Sequence, residues 1–389
     1  PMNMRIVAAP NAFKGSMNAV QAAEAMKKGI LAVIPQCDVT CVPVADGGDG
    51  LTEVMLAGLS GTRVEAMVSG PRMEPLSAPF CMVPSRKLAV VEMAKASGLA
   101  LLPKARHDPT RTTTYGTGEL IRAAMDNGAT RIIVGIGGSA TCDGGIGMAA
   151  ALGYRFLDET GTPVEPVGGS LGAIASIDRR NVDPRLDGMS LAVACDVTNP
   201  LTGDDGASVV YSPQKGATPE QVLRLDAGLA NLARIIRMDL GVAIANMPGA
   251  GAAGGLGGGL HAFVGAELKP GIDLVIDVVR LKDAIAGADL VLTAEGRIDR
   301  QTRFNKAPAG VARTAKAARV PCIAICGGIG DGIEMLYDIG IDAVFSICGG
   351  PQSLAEAMQD ADNLLARQTE QVIRTFLAGR SVWPADQYS

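Results

Sequence analysis

Four polar loops hold most of the side chains able to do chemistry, and each follows an apolar run that reads as a β-strand. In the first, RIVAAPNAFKGS, Lys14-Gly15-Ser16 stands between a strand over 5–9 and a helical pattern with Val20, Ala23 and Met26 on one face. An ammonium at a helix start, where backbone N–H groups are free, suits a phosphate or another small anion. The upstream glycine of a Walker A loop is missing, and a solvated lysine on a surface turn is the competing reading. The second loop, VADGGDG, spaces Asp46 and Asp49 with glycines. Such carboxylates suit Mg²⁺ held through waters beside a nucleotide, or they cap the helix that follows.

The third loop, GIGGSATCDGGIG (135–147), offers Gly137, Gly138, Ser139 and Thr141 as a backbone-and-hydroxyl nest for phosphate, with Asp143 able to meet a cation. The fourth, LTAEGRIDRQTRFNKAP (292–308), places Glu295, Arg297, Asp299 and Lys306 just past a strand end. That set could bind a carboxylated substrate and stabilise transferred charge; a solvated, self-paired loop is the alternative. ACDVTNPL adds Asp196 and Asn199, oxygen ligands after another strand. GAGAAGGLGGG (249–259) follows no strand, which argues against a dinucleotide fingerprint.

The elements that must position these loops alternate at both ends of the chain. Strand, helix, strand and helix fill the first sixty residues, with strand 39–44 and helix 51–59. The last hundred repeat the rhythm and end in one long helix over 353–377. Alternation of this kind implies a parallel sheet covered on both faces. The middle begins instead with strands and turns over 62–93. The sequence therefore predicts an α/β protein: a Rossmann-like doubly wound parallel-sheet domain (1–63 plus 289–389) with a mixed α/β domain (64–288) inserted. The cleft between them is the expected active site.

Composition narrows the chemistry. The 389 residues are 48% hydrophobic but only 3% aromatic, so the core is aliphatic, as in buried parallel strands. A net charge of −5 with interspersed signs argues against nucleic acid as a partner. Every apolar run is broken well short of a membrane span. No apolar stretch of signal-peptide length precedes the first strand, and the eight cysteines lack metal or disulfide spacing, so a reducing cytoplasm is expected. With two histidines, acid–base chemistry falls mainly to carboxylates and lysines. Oligomeric state stays open, a homodimer included.

From Met4 to about Leu377 the sequence resembles the bacterial type I glycerate kinases. The resemblance rests on PVADGGDG, EMAKASGL, YGTGELI, GIGGSAT with DGG, ACDVTNPLTG, PQKGATPE, PGAGAAGGLGGGL, LKPGIDLV, EGRID and GIDAVFSI, in that order. It implies an enzyme that uses ATP and Mg²⁺ to phosphorylate D-glycerate to 2-phosphoglycerate in organic-acid catabolism. Phosphoryl transfer asks mainly for positioning and charge neutralisation. On that basis Gly137, Gly138, Ser139 and Thr141 cradle phosphate, and Asp46, Asp49 or Asp196 hold Mg²⁺. Lys14, Arg297, Glu295 and Lys306 bind the substrate, with Lys14 also placed at the transferring group. Asp196, or else Asp299, orients or deprotonates the attacking hydroxyl. Asn11-Ala12 stands where the family usually has Asp-Ser, Arg300 and Asn305 where small residues are usual, and Cys142 where Asn is common. Those departures leave two alternatives: a kinase for a different small hydroxy acid, or a non-catalytic ligand-binding paralogue.

Overall fold

The computed structural model describes residues 4–46, 51–304 and 306–382; Asp49 and Asn305 lie outside them. In chain order the strands are β1 (Arg5–Ala8), β2 (Asp38–Cys41), β3 (Thr62–Ser69), β4 (Pro75–Val83), β5 (Leu88–Glu92), β6 (Arg131–Gly135), β7 (Arg155–Leu157), β8 (Ser176–Asp178), β9 (Ser190–Ala194), β10 (Glu267–Lys269), β11 (Leu290–Ile298), β12 (Cys322–Ile329) and β13 (Ala343–Ser346). Contacts divide the chain at 46/47 and 271/272 into a discontinuous unit 1 and a continuous unit 2. The junctions read from sequence were 63/64 and 288/289. They differ because helix Leu51–Leu59 packs on β4 and β5 of unit 2. At the other junction, Gly310 of unit 1 lets Ile272 and Ile276 pack directly against its backbone.

Unit 1 carries a five-stranded sheet in the order β13-β12-β11-β1-β2, every pair parallel. Its strands are aliphatic because both faces are covered. On one face Ile6, Ala8, Leu292, Ala294 and Ile325 join Met26 and Ile30 of helix Ala19–Val33 and Leu365, Val372 and Ile373 of helix Ala361–Val382. Helix Ala307–Ala317 packs against β11 and β12. From the central pair β1 and β11, successive strands are added outwards in opposite directions. In such doubly wound sheets the loops at the carboxyl ends of the two central strands diverge, and the crevice left there is where ligands bind.

Two local expectations change. The first helix does not follow Ser16 at once: it spans Ala19–Val33, and Asn18 is its N-cap, in a reciprocal capping box with Gln21. Ahead of it, Phe13 and Met17 pair backbone to backbone, so exposed Lys14 rides the tip of a tight turn. The final helix is two, Leu354–Gln359 and Ala361–Val382, separated at Asp360, with Ser353 and Glu356 boxing the start of the first.

Unit 2 has a six-stranded sheet in the order β10-β9-β6-β5-β4-β3, parallel through β10, β9, β6 and β5 and antiparallel beyond. Helices Tyr115–Asp126 and Pro219–Leu240 contribute Leu120, Ile121, Leu225, Leu229, Leu232 and Ile236 to its core, and β7 and β8 form a small hairpin.

A close helix contact in unit 1 lies at Gly29, where a Cβ would collide with the Ala366 carbonyl oxygen and approach Thr369. Gly29→Leu should destabilise the chain by about 1–3 kcal/mol, as overpacking does. Urea unfolding checks this, with a much smaller change expected for a leucine at the open position Gly379.

Candidate active site

At the carboxyl ends of β1 and β11 the sequence places Asn11 and Glu295, both buried (6% and 9% exposed). Glu295 is not past the strand end, as sequence predicts, but inside β11, opposite Cys326. The strand runs on because Gly296 and Gly327 let two backbones meet where a Cβ on Gly327 would crowd the Gly296 carbonyl. Ladder bonds from Ala9 N to Leu292 O and from Asn11 N to Ala294 O, both 2.8 Å, hold the loop after β1 against β11. Asn11 Nδ2 then donates to Glu295 Oε1 at 3.3 Å. Glu295 Oε2 is buried without a partner among the described residues. Beyond β2, Val42 N donates to Ala8 O and Val44 N to Pro10 O, which carries Asp46 towards the same end of the sheet.

Burial pushes the Glu295 carboxyl up to about 7. Lys306 opposes the rise, Asp46 adds to it, and the Asn11 hydrogen bond and Lys14 oppose it further. Three other sequence-nominated residues, Lys14, Asp46 and Lys306, are thus within electrostatic reach of Glu295. Asp299 and Arg297 have another occupation. Asp299 caps the turn Arg300–Arg303 by accepting from Gln301 N at 2.9 Å, and exposed Arg297 pairs with it at 3.2 Å. Burial raises the Asp299 carboxyl, but the Gln301 amide and Arg297 outweigh it and hold the group below its usual range. Beside Lys306 opens a cavity of about 610 Å³ lined by Arg300, Gln301, Arg303, Phe304 and Met335.

In unit 2 the glycine loop after β6 is a constructed one. Ala140 N donates to Ser97 O and Leu99 N to Gly138 O, both at 2.9 Å, and Gly138 adopts a φ of +75°. The exposed amides of Gly137 and Gly138 donate to nothing among the described residues. Asp143 is no cation ligand: Thr114 N, Thr114 Oγ1, Gly145 N and Gly147 N all donate to its buried carboxylate, at 2.8–3.2 Å. Burial raises that carboxyl against those four donors. Asp196 is exposed, and its Oδ1 accepts from Gly271 N at 3.0 Å.

Two features of the loop escape a sequence reading. The run 249–259 supports it: Gly144 N donates to Gly254 O at 3.0 Å, and side chains at Gly254, Gly255 or Gly259 would collide with residues 141–145. Lys215 is 2% exposed, with Nζ donating to Ser139 Oγ and Thr141 O at 2.7 Å each. The glycine after it, Gly216, signals only the turn: it holds a φ of +95°, with a side chain excluded by the His107 carbonyl.

Among the described residues no three His, Cys, Asp or Glu side chains gather as a metal site. Asp46, with Glu295 in reach, still fits the sparse protein ligation Mg²⁺ accepts when phosphates and waters complete its shell. No helix among the described residues is long and apolar enough to cross a membrane.

Doubly wound sheets bind small molecules at such a switch point, and a glycine loop after a parallel strand suits phosphate. The profile of the Glycerate kinase family matches residues 6–377, and the chain belongs to that family. It is 49% identical over 367 residues to glycerate kinase of Halalkalibacterium halodurans, covering 94% of this chain and 97% of that one. It is 45% identical to glycerate 2-kinase of Escherichia coli K12, covering 97% and 99%. The crystal structure of a protein provisionally designated glycerate kinase 2, from Salmonella typhimurium LT2, superposes with a TM-score of 0.90 at 44% identity, covering 97% and 99%.

The raised Glu295 carboxyl gives a stability prediction. Because its folded value (about 7) exceeds the unfolded 4.5, its contribution is fully present below about pH 4.5 and lost as pH rises through about 7. The loss is about 3 kcal/mol. Glu295→Gln should therefore melt near wild type at about pH 4.5 and several degrees above it at about pH 8. A melting difference that is the same at both pH values would contradict the burial account.

Proposed function

We propose that the chain phosphorylates D-glycerate with ATP to give 2-phosphoglycerate, and that Glu295 accepts the proton of the attacking hydroxyl. The observation that carries the base assignment is the orphaned Oε2 of a buried carboxylate whose ordinary value has been raised into the neutral range. A group of that kind is ionised enough to accept a proton and basic enough to hold it. Asp299 is less suited, since it is committed to a cap and an ion pair. Lys14 and Lys306 neutralise the substrate carboxylate and the transferring phosphoryl group, while Arg297 serves Asp299. Gly137, Gly138, Ser139 and Thr141 receive phosphate oxygens of the nucleotide.

Mg²⁺ would be held by Asp46, with Asp49 and Asp196 as the other candidates, and would supply charge neutralisation on the phosphates. Asn11 does not disable the chain on this reading. A neutral amide donor satisfies Glu295 Oε1, where the family's usual aspartate would set a second carboxylate against it. That difference is also why a different hydroxy acid stays the second reading. Eight free thiols fit a reducing cytoplasm. A homodimer is the assembly to test first.

Incubation of the protein with D-glycerate and Mg-ATP, followed by ³¹P NMR, should show 2-phosphoglycerate accumulating. Glu295→Gln should lower kcat by roughly 10²–10⁴-fold, the usual range for losing a proton acceptor, with Asp196→Asn affecting KM more than kcat. Faster turnover of another hydroxy acid would move the substrate assignment, and the opposite ranking of the two variants would return the base to Asp196.

A further inference from the structure

Lys215 is one of the largest fully buried side chains in the protein, and it is charged. No carboxylate lies within ion-pair distance of it among the described residues. An ammonium out of water ordinarily requires a counter-charge or a full set of acceptors. The titratable groups that influence it are Cys142 and Asp143. The Asp143 oxygens are already engaged by Thr114, Gly145 and Gly147. Both acceptors that Lys215 does use, Ser139 Oγ and Thr141 O, belong to the glycine loop.

The chemistry of those two bonds has a direction. An ammonium only donates, so Ser139 Oγ spends a lone pair on Lys215 and must turn its own O–H elsewhere. That proton reaches no acceptor among the described residues. In the same loop Thr141 Oγ1 is buried without a partner, and the Gly137 and Gly138 amides are unused. A loop that leaves four donors without an acceptor beside a buried positive charge, two of them on the exposed Gly137 and Gly138, lacks one thing, an anion with several oxygens.

We propose that Lys215 is a positioning residue for phosphoryl-group binding: it fixes Ser139 as a donor to a phosphate oxygen and stands behind the loop as the charge that the phosphate neutralises. The proposal rests on the reading of 137–141 as the nucleotide phosphate loop. Burial lowers Lys215 to about 8, against Cys142 and Asp143, which raise it. Its charge, and the affinity that depends on it, is therefore lost within the range of ordinary buffers.

Calorimetric titration with ADP alone, without glycerate or metal, isolates the loop. Wild type should bind ADP, and Lys215→Met should bind at least tenfold more weakly without melting lower, since a buried charge has been removed. Ser139→Ala added to Lys215→Met should weaken binding little further, because the lysine acts through that hydroxyl. Wild-type affinity should fall from about pH 7 to about pH 9.5, a range in which the ADP phosphates stay ionised above about pH 7.5. Lys215→Arg should lose that fall, since a guanidinium stays charged throughout. Lys215→Met binding within about twofold of wild type would overturn the role of Lys215 while leaving the loop reading intact. If the methionine variant fails to fold, a wild-type affinity flat across that pH range overturns it equally. Failure of wild type to bind ADP at all would overturn the loop reading and the proposal with it.

Discussion

The hydrogen bond from Asn11 Nδ2 to Glu295 Oε1 joins the ends of the two central strands of unit 1. Much of what precedes it in the chain exists to make it. Parallel pairing of β1 with β11 fixes the depth of both residues, and Thr293 Oγ1 donating to Ala9 O locks their register at 2.9 Å. Burying a carboxylate with half its oxygen capacity unused is unfavourable, and the local fold tolerates it because the neutral form is available near pH 7. The same burial that costs stability above neutrality raises the group into the range where it can exchange a proton with a hydroxyl.

Unit 2 meets the opposite problem with the opposite charge. There a lysine is buried, and burial lowers its pKa. The surrounding backbone can approach closely only because residues 254, 255 and 259 have no side chains. Glycine in this protein is mainly a device for letting one loop rest on another, and the loop after β6 is held by three neighbours: 97–99, 213–216 and 249–259.

Much of this was legible in the sequence. The alternation of aliphatic strands and amphipathic helices gives the parallel sheet of unit 1, and RIIVG is the strand β6 that leads into the glycine-serine loop. Lys14, Asp46, Glu295 and Lys306 were nominated on chemistry from three separate loops. What sequence could not supply was partnership. Nothing in the spacing of EGRID distinguishes Glu295, which points into the fold, from Asp299, which caps a turn four residues later. Nor does PQKG reveal that its lysine is buried, because the partners of Lys215 are more than seventy residues away. Local signals also misled where a stronger one competed: the first helix, expected directly after Ser16, waits for the Asn18–Gln21 box.

If Glu295, held by Asn11, accepts the hydroxyl proton, its titration governs the pH profile of kcat/KM for glycerate. Wild type should show an ascending limb with an apparent pKa near 7. Asn11→Asp should move that limb upwards, because a second carboxylate disfavours ionisation of the first. A limb near the ordinary carboxylate value of about 4.3, or one that Asn11→Asp leaves in place, would put the proton acceptor elsewhere.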